Sequence, residues 1–234
     1  MKQYDFSPLG ELKGAFMKIL LTGTTGYIAK RLALQLLEDE HELVCCVRDL
    51  NRIPDEIENH PSCSFIKLDF LDPEPNKIPE DIDAAYYLIH SMSTSSNDFA
   101  DLERQCAQNF KNLINATHCK QVIYLSGIVN DNSLSKHLKS RLQVENTLKS
   151  DHYALTTFRA GIIVGSGSAS FEIIRDIVEK LPFMITPRWL NTKTQPIAIR
   201  DVLAFLSGGL GKEELYNKSF DIFGPEVLTY KEML

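Results

Sequence analysis

Eight residues near the start of the chain, Thr22-Gly23-Thr24-Thr25-Gly26-Tyr27-Ile28-Ala29, carry its strongest chemical signal. A glycine at 23 permits a tight turn, a second at 26 lets backbone approach a pyrophosphate, and the small Ala29 allows a helix to pack closely on a strand. Such a turn needs a strand before it and a helix after it. Lys18 to Thr22 supplies the apolar strand run. Tyr27 to Glu40 supplies the helix, with Ile28, Leu32 and Leu36 on one stripe and Ala29, Ala33 and Leu37 beside it. The helix N-terminus adds unpaired N–H groups and the positive end of its dipole. Gly23, Thr24, Thr25, Gly26, Tyr27 and Ile28 are therefore the expected binders of a dinucleotide's phosphates.

Three more strand ends lie on the path that such a ligand would follow. Glu42 to Val47 (ELVCCV) runs into Arg48. An acidic residue there would bind a ribose 2′-hydroxyl, whereas arginine favours a 2′-phosphate, so Arg48, followed by Arg52, points to NADP. Asp49 is an alternative acceptor for the ribose hydroxyl and keeps NAD open. Ser64 to Leu68 ends at Asp69, placed to accept from the adenine amino group with Phe70 and Leu71 flanking the ring. Ala84 to Ile89 brings Ile89 and Ser91 beside the second ribose. The residues at these two edges serve equally well as strand-end caps.

The elements that must hold these ends in place alternate along the chain. After a serine-rich loop at 91–96, Asn97 and Asp98 cap a helix that spaces Phe99, Leu102, Cys106, Phe110 and Leu113 at three- and four-residue intervals. Gln121 to Leu125 is a fifth strand, Ser135 to Lys149 a helix, and Ala154 to Val164 a sixth strand. Runs that are apolar throughout belong to strands covered on both faces. Alternation of strand and helix predicts an α/β fold, a doubly wound parallel sheet of Rossmann type. After Gly165 the rhythm changes to a short helix from Phe171 to Lys180, a strand-like Gln195 to Ile199 and a helix from Asp201. The expected division is an N-terminal extension at 1–17, a dinucleotide-binding domain at 18–165, and a small C-terminal lobe at 166–234 interleaved with it.

The lobe offers weaker candidates. Gly165 to Ser170 precedes a helix and either binds phosphate or substrate oxygens or is a turn with Ser170 as N-cap. Phe171, Trp189 and Gln195 either line a small-molecule substrate pocket or belong to the core. Tyr86, Tyr87 and Tyr124 sit inside strands and read as packing residues.

Composition excludes several classes. The chain has 234 residues, 44% of them hydrophobic, and a formal charge of −6. That is too apolar and too weakly charged for disorder, and it lacks the basic surplus of a duplex-binding protein, so no nucleic-acid partner is expected. No apolar run is long enough to span a membrane. The five cysteines (45, 46, 63, 106 and 119) share no metal-ligand spacing. Cys45 and Cys46, inside an apolar strand, read as small hydrophobes, and reduced thiols point to the cytoplasm. Met1 to Phe16 has no continuous apolar segment and does not read as a signal peptide. The chain closes at Tyr230 to Leu234 as a helix begins, which points to further residues beyond it.

Taken together, Thr22–Gly26, Leu68-Asp-Phe-Leu-Asp72, the helix bearing Asn109, Val122–Gly127, Thr157–Gly161, Gln195–Asp201 and Phe223–Thr229 resemble the short-chain dehydrogenase/reductase superfamily. The likeness is to its extended and atypical branch, which includes nucleoside-diphosphate-sugar epimerases and NmrA-like proteins. It implies NADP or NAD as cofactor, hydride transfer at a carbon bearing oxygen, and a homodimer formed through the helices at 97–118 and 135–149. Enzymes of that superfamily carry Tyr-x-x-x-Lys on the helix after strand five, assisted by a serine or threonine. Here that helix, Ser135-Lys-His-Leu-Lys-Ser-Arg-Leu142, has no tyrosine and offers His137 and Arg141 at the matching spacing. Residues four apart share a helix face. Histidine titrates about three units below tyrosine and exchanges protons near neutrality unaided, while arginine orients but is no base. Ser126 is the nearest assisting hydroxyl. The resemblance thus implies either catalysis through His137, Arg141 and Ser126, or a non-catalytic NADP(H) sensor of NmrA-like type.

Overall fold

The computed structural model describes residues 15–89, 99–128, 136–168, 171–172, 175–176 and 188–233. Six strands arise where the apolar runs predict them: β1 (Lys18–Leu21), β2 (Glu42–Val47), β3 (Cys63–Lys67), β4 (Ala84–Tyr87), β5 (Gln121–Gly127) and β6 (Ala154–Ala160). A seventh, β10 (Lys218–Ile222), joins them, and all seven form one parallel sheet in the order β10-β6-β5-β4-β1-β2-β3. The chain winds outward in both directions from β1, so the crevice beyond the carboxyl ends of β1 and β4 is the switch point where doubly wound folds bind ligands. Helices α1 (Tyr27–Glu38) and α5 (Ile199–Gly208) cover one face, and α3 (Phe99–Ile114) and α4 (Lys136–Leu148) the other. The short α2 (Asp55–Glu58) leads into β3, and α6 (Tyr230–Met233) closes the described residues.

Alternation along each strand sorts the core into two layers. Ile19, Leu21, Tyr86, Ile123 and Leu125 pack under α1 and α5, whereas Leu20, Tyr87, Val122 and Tyr124 pack under α3 and α4. The three strand tyrosines are all fully buried, as their positions predict. α1 buries Ala29, Leu32, Ala33, Leu36 and Leu37, the i, i+3, i+4 stripe of an amphipathic helix.

Several boundaries differ from the sequence reading, and two of them have a clear local reason. α1 stops two residues early because Glu40 takes a left-handed φ of 67°, with Glu40 N donating to Leu37 O and His41 N to Leu36 O. This is a Schellman close, and it satisfies carbonyls that a helix end leaves bare. The sixth strand leaves the sheet at Gly161. Its continuation β7 (Ile163–Val164) pairs instead with β9 (Ile197–Ala198), while β8 (Lys193–Thr194) pairs with β11 (Leu228–Thr229). These two small sheets stand apart from the seven-stranded one.

The five cysteines are unpaired. Burial pushes the Cys106 thiol up to about 11 and those of Cys46 and Cys119 up to about 12. Each is neutral in the fold and binds its proton more tightly than in the unfolded chain, where the ordinary value is 9.0. The stability they contribute is complete below that value and is lost as pH rises toward 12. A melting temperature that declines steeply between pH 9 and 12, measured by circular dichroism, is the expected result; a flat profile would contradict it.

Candidate active site

The glycine turn is built from both sides. Thr22 Oγ1 donates to Tyr86 O and accepts from Leu88 N, both at 3.0 Å, and so ties the end of β1 to β4. Gly23 follows with φ +69°, and a Cβ there would lie 2.6 Å from Leu88 O, so the backbone of the segment after β4 leaves room for hydrogen alone. Gly26 N donates to Gly23 O at 2.8 Å and closes the turn. Thr24 turns inward, its hydroxyl donating to Leu21 O at 3.1 Å, so its side chain braces the turn from beneath. α1 then begins at Tyr27 with no side-chain cap. The N–H groups of its first turn lack intrahelical acceptors by construction. Uncapped donors beside a cradle that any Cβ would fill form a fitting seat for a diphosphate.

A cleft of about 440 Å3 opens over this turn, within the size range of small-molecule sites. Gly23, Thr24, Thr25, Gly26, Tyr27, Ile28, Arg48, Asp69, Phe70, Leu71, Ile89 and Arg141 all line it. Ser91 lies outside the described residues, as does the His137 side chain, although the backbone places His137 in the first turn of α4.

At one end of the cleft, Arg48 is exposed and forms no hydrogen bond or ion pair with the described residues. Asp49, the rival partner for a ribose, turns its carboxylate to Asn51, accepting from N and Nδ2 at 3.1 Å, and neither it nor Arg52 lines the cleft. Asp69 Oδ1 accepts from Leu71 N at 3.0 Å, which fixes the turn that follows β3. Asn109 of α3 donates to Phe70 O at 2.8 Å, and the Phe70 ring packs on Phe110 with centroids 5.7 Å apart. Cys106 lies beside this end and also lines the cleft. Nothing in the sequence separated it from the rest of the buried stripe of α3.

At the other end, Arg141 Nη1 donates to the Tyr124 hydroxyl at 3.3 Å. Ser126 is 6% exposed and does not line the cleft, and its hydroxyl forms no hydrogen bond of ordinary length with the described residues. α4 itself is riveted to the sheet by Glu145, whose two oxygens accept from Arg159 Nη2 at 2.8 Å and Nε at 3.0 Å, and from Ser219 Oγ at 2.7 Å.

The loop after β7 brings Ser168 into the cleft wall. Its hydroxyl accepts from Phe171 N at 3.2 Å, so Ser168 makes the capping contact that the sequence reading gave to Ser170, which lies outside the described residues. Arg31 bridges to this loop, donating to Ser166 O at 3.1 Å while stacking 3.9 Å from the Tyr27 ring centroid. Of the lobe residues singled out for a substrate pocket, Gln195 and Phe171 do not line the cleft: Gln195 Nε2 donates to Gly224 O at 2.7 Å and Phe171 is 38% exposed; the Trp189 side chain lies outside the described residues. No helix among the described residues is long and apolar enough to cross a membrane.

Comparison with known proteins agrees with this geometry. A family described as NAD(P)H-binding matches residues 23–165. A UDP-glucuronic acid 4-epimerase from Bacillus cereus, solved with UDP-glucuronic acid and NAD, is 19% identical, with 93% of this chain and 81% of that one covered and a TM-score of 0.75. The Bordetella bronchiseptica enzyme WbmG, solved with NAD and UDP, is 13% identical over 94% of this chain and 77% of its own, at 0.76. TunA, an NAD-dependent NDP-hexosamine 5,6-dehydratase, is 16% identical over 92% and 78%, at 0.69. These likenesses are of fold, the one to which the sequence motifs pointed. No curated protein sequence matches the chain.

Proposed function

The chain belongs to the NAD(P)H-binding family, and on that premise we propose that it is an NADP-dependent enzyme of oxidoreductase or epimerase type, acting at a carbon that bears oxygen. The observation that carries the choice of NADP is Arg48, an exposed guanidinium at the end of β2 with no hydrogen bond or ion pair to the described residues, whose acidic neighbour is turned away to Asn51. The N–H groups of Tyr27 and Ile28 bind the phosphates, with Gly23, Thr25 and Gly26 allowing the close approach. Asp69 accepts from the adenine amino group between Phe70 and Leu71, and Ile89 lies along the second ribose. Bound there, the nicotinamide supplies a hydride donor or acceptor. His137 holds and moves the proton near neutral pH, and Arg141 orients the ribose and the substrate from the cleft wall, with Ser126 buried behind it on β5.

The first test is affinity. NADPH is expected to bind at least tenfold more tightly than NADH, and Arg48→Ala to weaken NADPH about thirtyfold while leaving NADH unchanged, since a hydrogen-bonded charge pair contributes about 2 kcal/mol. Equal affinities in the wild-type protein would overturn the choice of NADP. The second test is turnover in wild type and His137→Ala, with carbonyl compounds screened for NADPH oxidation and the nucleotide sugars bound by similar structures screened for NADP+ reduction and for conversion to an epimer. A second reading is favoured by one specific observation, the lack of any tyrosine on α4: a sensor that holds NADP(H) without turnover. Tight binding with no turnover of any substrate, and no effect of His137→Ala, would select it.

A further inference from the structure

Tyr124 reads in the sequence as core, and its ring is core, fully buried on β5 and packed 5.9 Å from Tyr87. Its hydroxyl is engaged elsewhere. It accepts from Arg141 Nη1 at 3.3 Å and donates to Arg141 O at 3.4 Å, so one phenol holds both the main chain and the side chain of Arg141, which among the described residues of α4 is the one that lines the cleft. The surrounding sheet face is unusually rich in hydroxyls. Ser126, two residues along β5 and close enough to the Tyr124 phenol to act on it, and Thr157, the partner of Tyr124 on β6, are both buried on this face. Burial holds the Tyr124 phenol above its ordinary titration range, against the pull of the Arg141 charge, so it stays protonated and remains a donor at neutral pH.

We propose that Tyr124 is a positioning residue of this site, a strand phenol that holds the Arg141 guanidinium at the cleft so that it meets the nicotinamide half of the dinucleotide. This rests on the reading of the cleft given above. An unheld arginine samples many rotamers and must be ordered when ligand binds, whereas one already gripped by a buried phenol loses less. The arrangement moves the aromatic hydroxyl of the site from the helix to the strand beneath it, two residues from Ser126.

The test separates the two halves of the ligand. Tyr124→Phe keeps the ring in the core and removes the grip. It is expected to weaken NADPH about tenfold, the worth of one hydrogen bond to a charged group, and to leave 2′,5′-ADP, which fills the adenosine half alone, unchanged within twofold. Arg141→Ala should lose as much NADPH affinity as Tyr124→Phe or more, and the double variant no more than Arg141→Ala, because the two side chains act as one. If Tyr124→Phe does not fold, Arg141→Lys keeps the charge but shortens the reach to the phenol, and the same selective loss of NADPH is expected of it. Wild-type affinity for NADPH in the variant, equal losses for both probes, or additive losses in the double variant would each overturn the proposal alone. Wild-type protein that binds neither probe would overturn the reading of the cleft and this proposal with it.

Discussion

Gly23→Ala is expected to abolish measurable NADPH binding and to lower folding stability by about 3 kcal/mol. A side chain at φ +69° is strained by about 1–2 kcal/mol before any contact is counted. The added methyl would also lie 2.6 Å from Leu88 O, which belongs to backbone and cannot swing aside as a flexible side chain would. Relief requires β1 and the segment after β4 to move apart, and those two are joined by the Thr22 hydroxyl through Tyr86 O and Leu88 N. The same movement displaces the seat of the diphosphate, so stability and binding fall together. Chemical denaturation and titration of NADPH fluorescence measure the two losses; a variant that melts like wild type and binds NADPH would contradict the account.

Glu145→Ala is expected to cost about 3 kcal/mol, placed at the lower end for a broken buried ion pair because Arg159 keeps some contact with water. The Glu145 side chain is 3% exposed and that of Arg159 24%. Removing the carboxylate strips Arg159 of two hydrogen bonds and Ser219 of one, and leaves a guanidinium between α4 and the sheet with Asp221 at 4.0 Å as its remaining counter-charge. Glu145→Gln retains an acceptor oxygen and should lose roughly half as much. A shift in urea midpoint at constant m reads the effect. Since α4 also carries His137 and Arg141, loosening it should weaken NADPH binding, whereas a purely local role would leave affinity untouched.

The sheet was legible because its strands are apolar on both faces, and the glycine turn because strand and helix bracket it. β10 was not foreseen: Lys218-Ser-Phe-Asp-Ile is short, half polar and exposed along one side, which is how an edge strand looks and also how a loop looks. At the site, residue type and strand end were enough to bring Arg48, Asp69 and Phe70 to one cleft. They could not show that Asp49 is spent on Asn51, nor that Thr24 faces inward, because both depend on local hydrogen bonds that no spacing records. Tyr124 was assigned to packing by the same rule that correctly buried it, since an alternation pattern says where a ring lies and is silent about its hydroxyl.

The late arrival of β10 has a cost during synthesis. β6 is complete by Ala160, yet its outer row of amides and carbonyls waits for Lys218–Ile222 to emerge from the ribosome. Throughout that interval the nascent chain presents an open, flat, parallel template to any neighbour on the same message. Translation stalled between the two segments would leave a species whose natural fate is strand-to-strand aggregation, and a chaperone able to shield β6 would matter most at that moment.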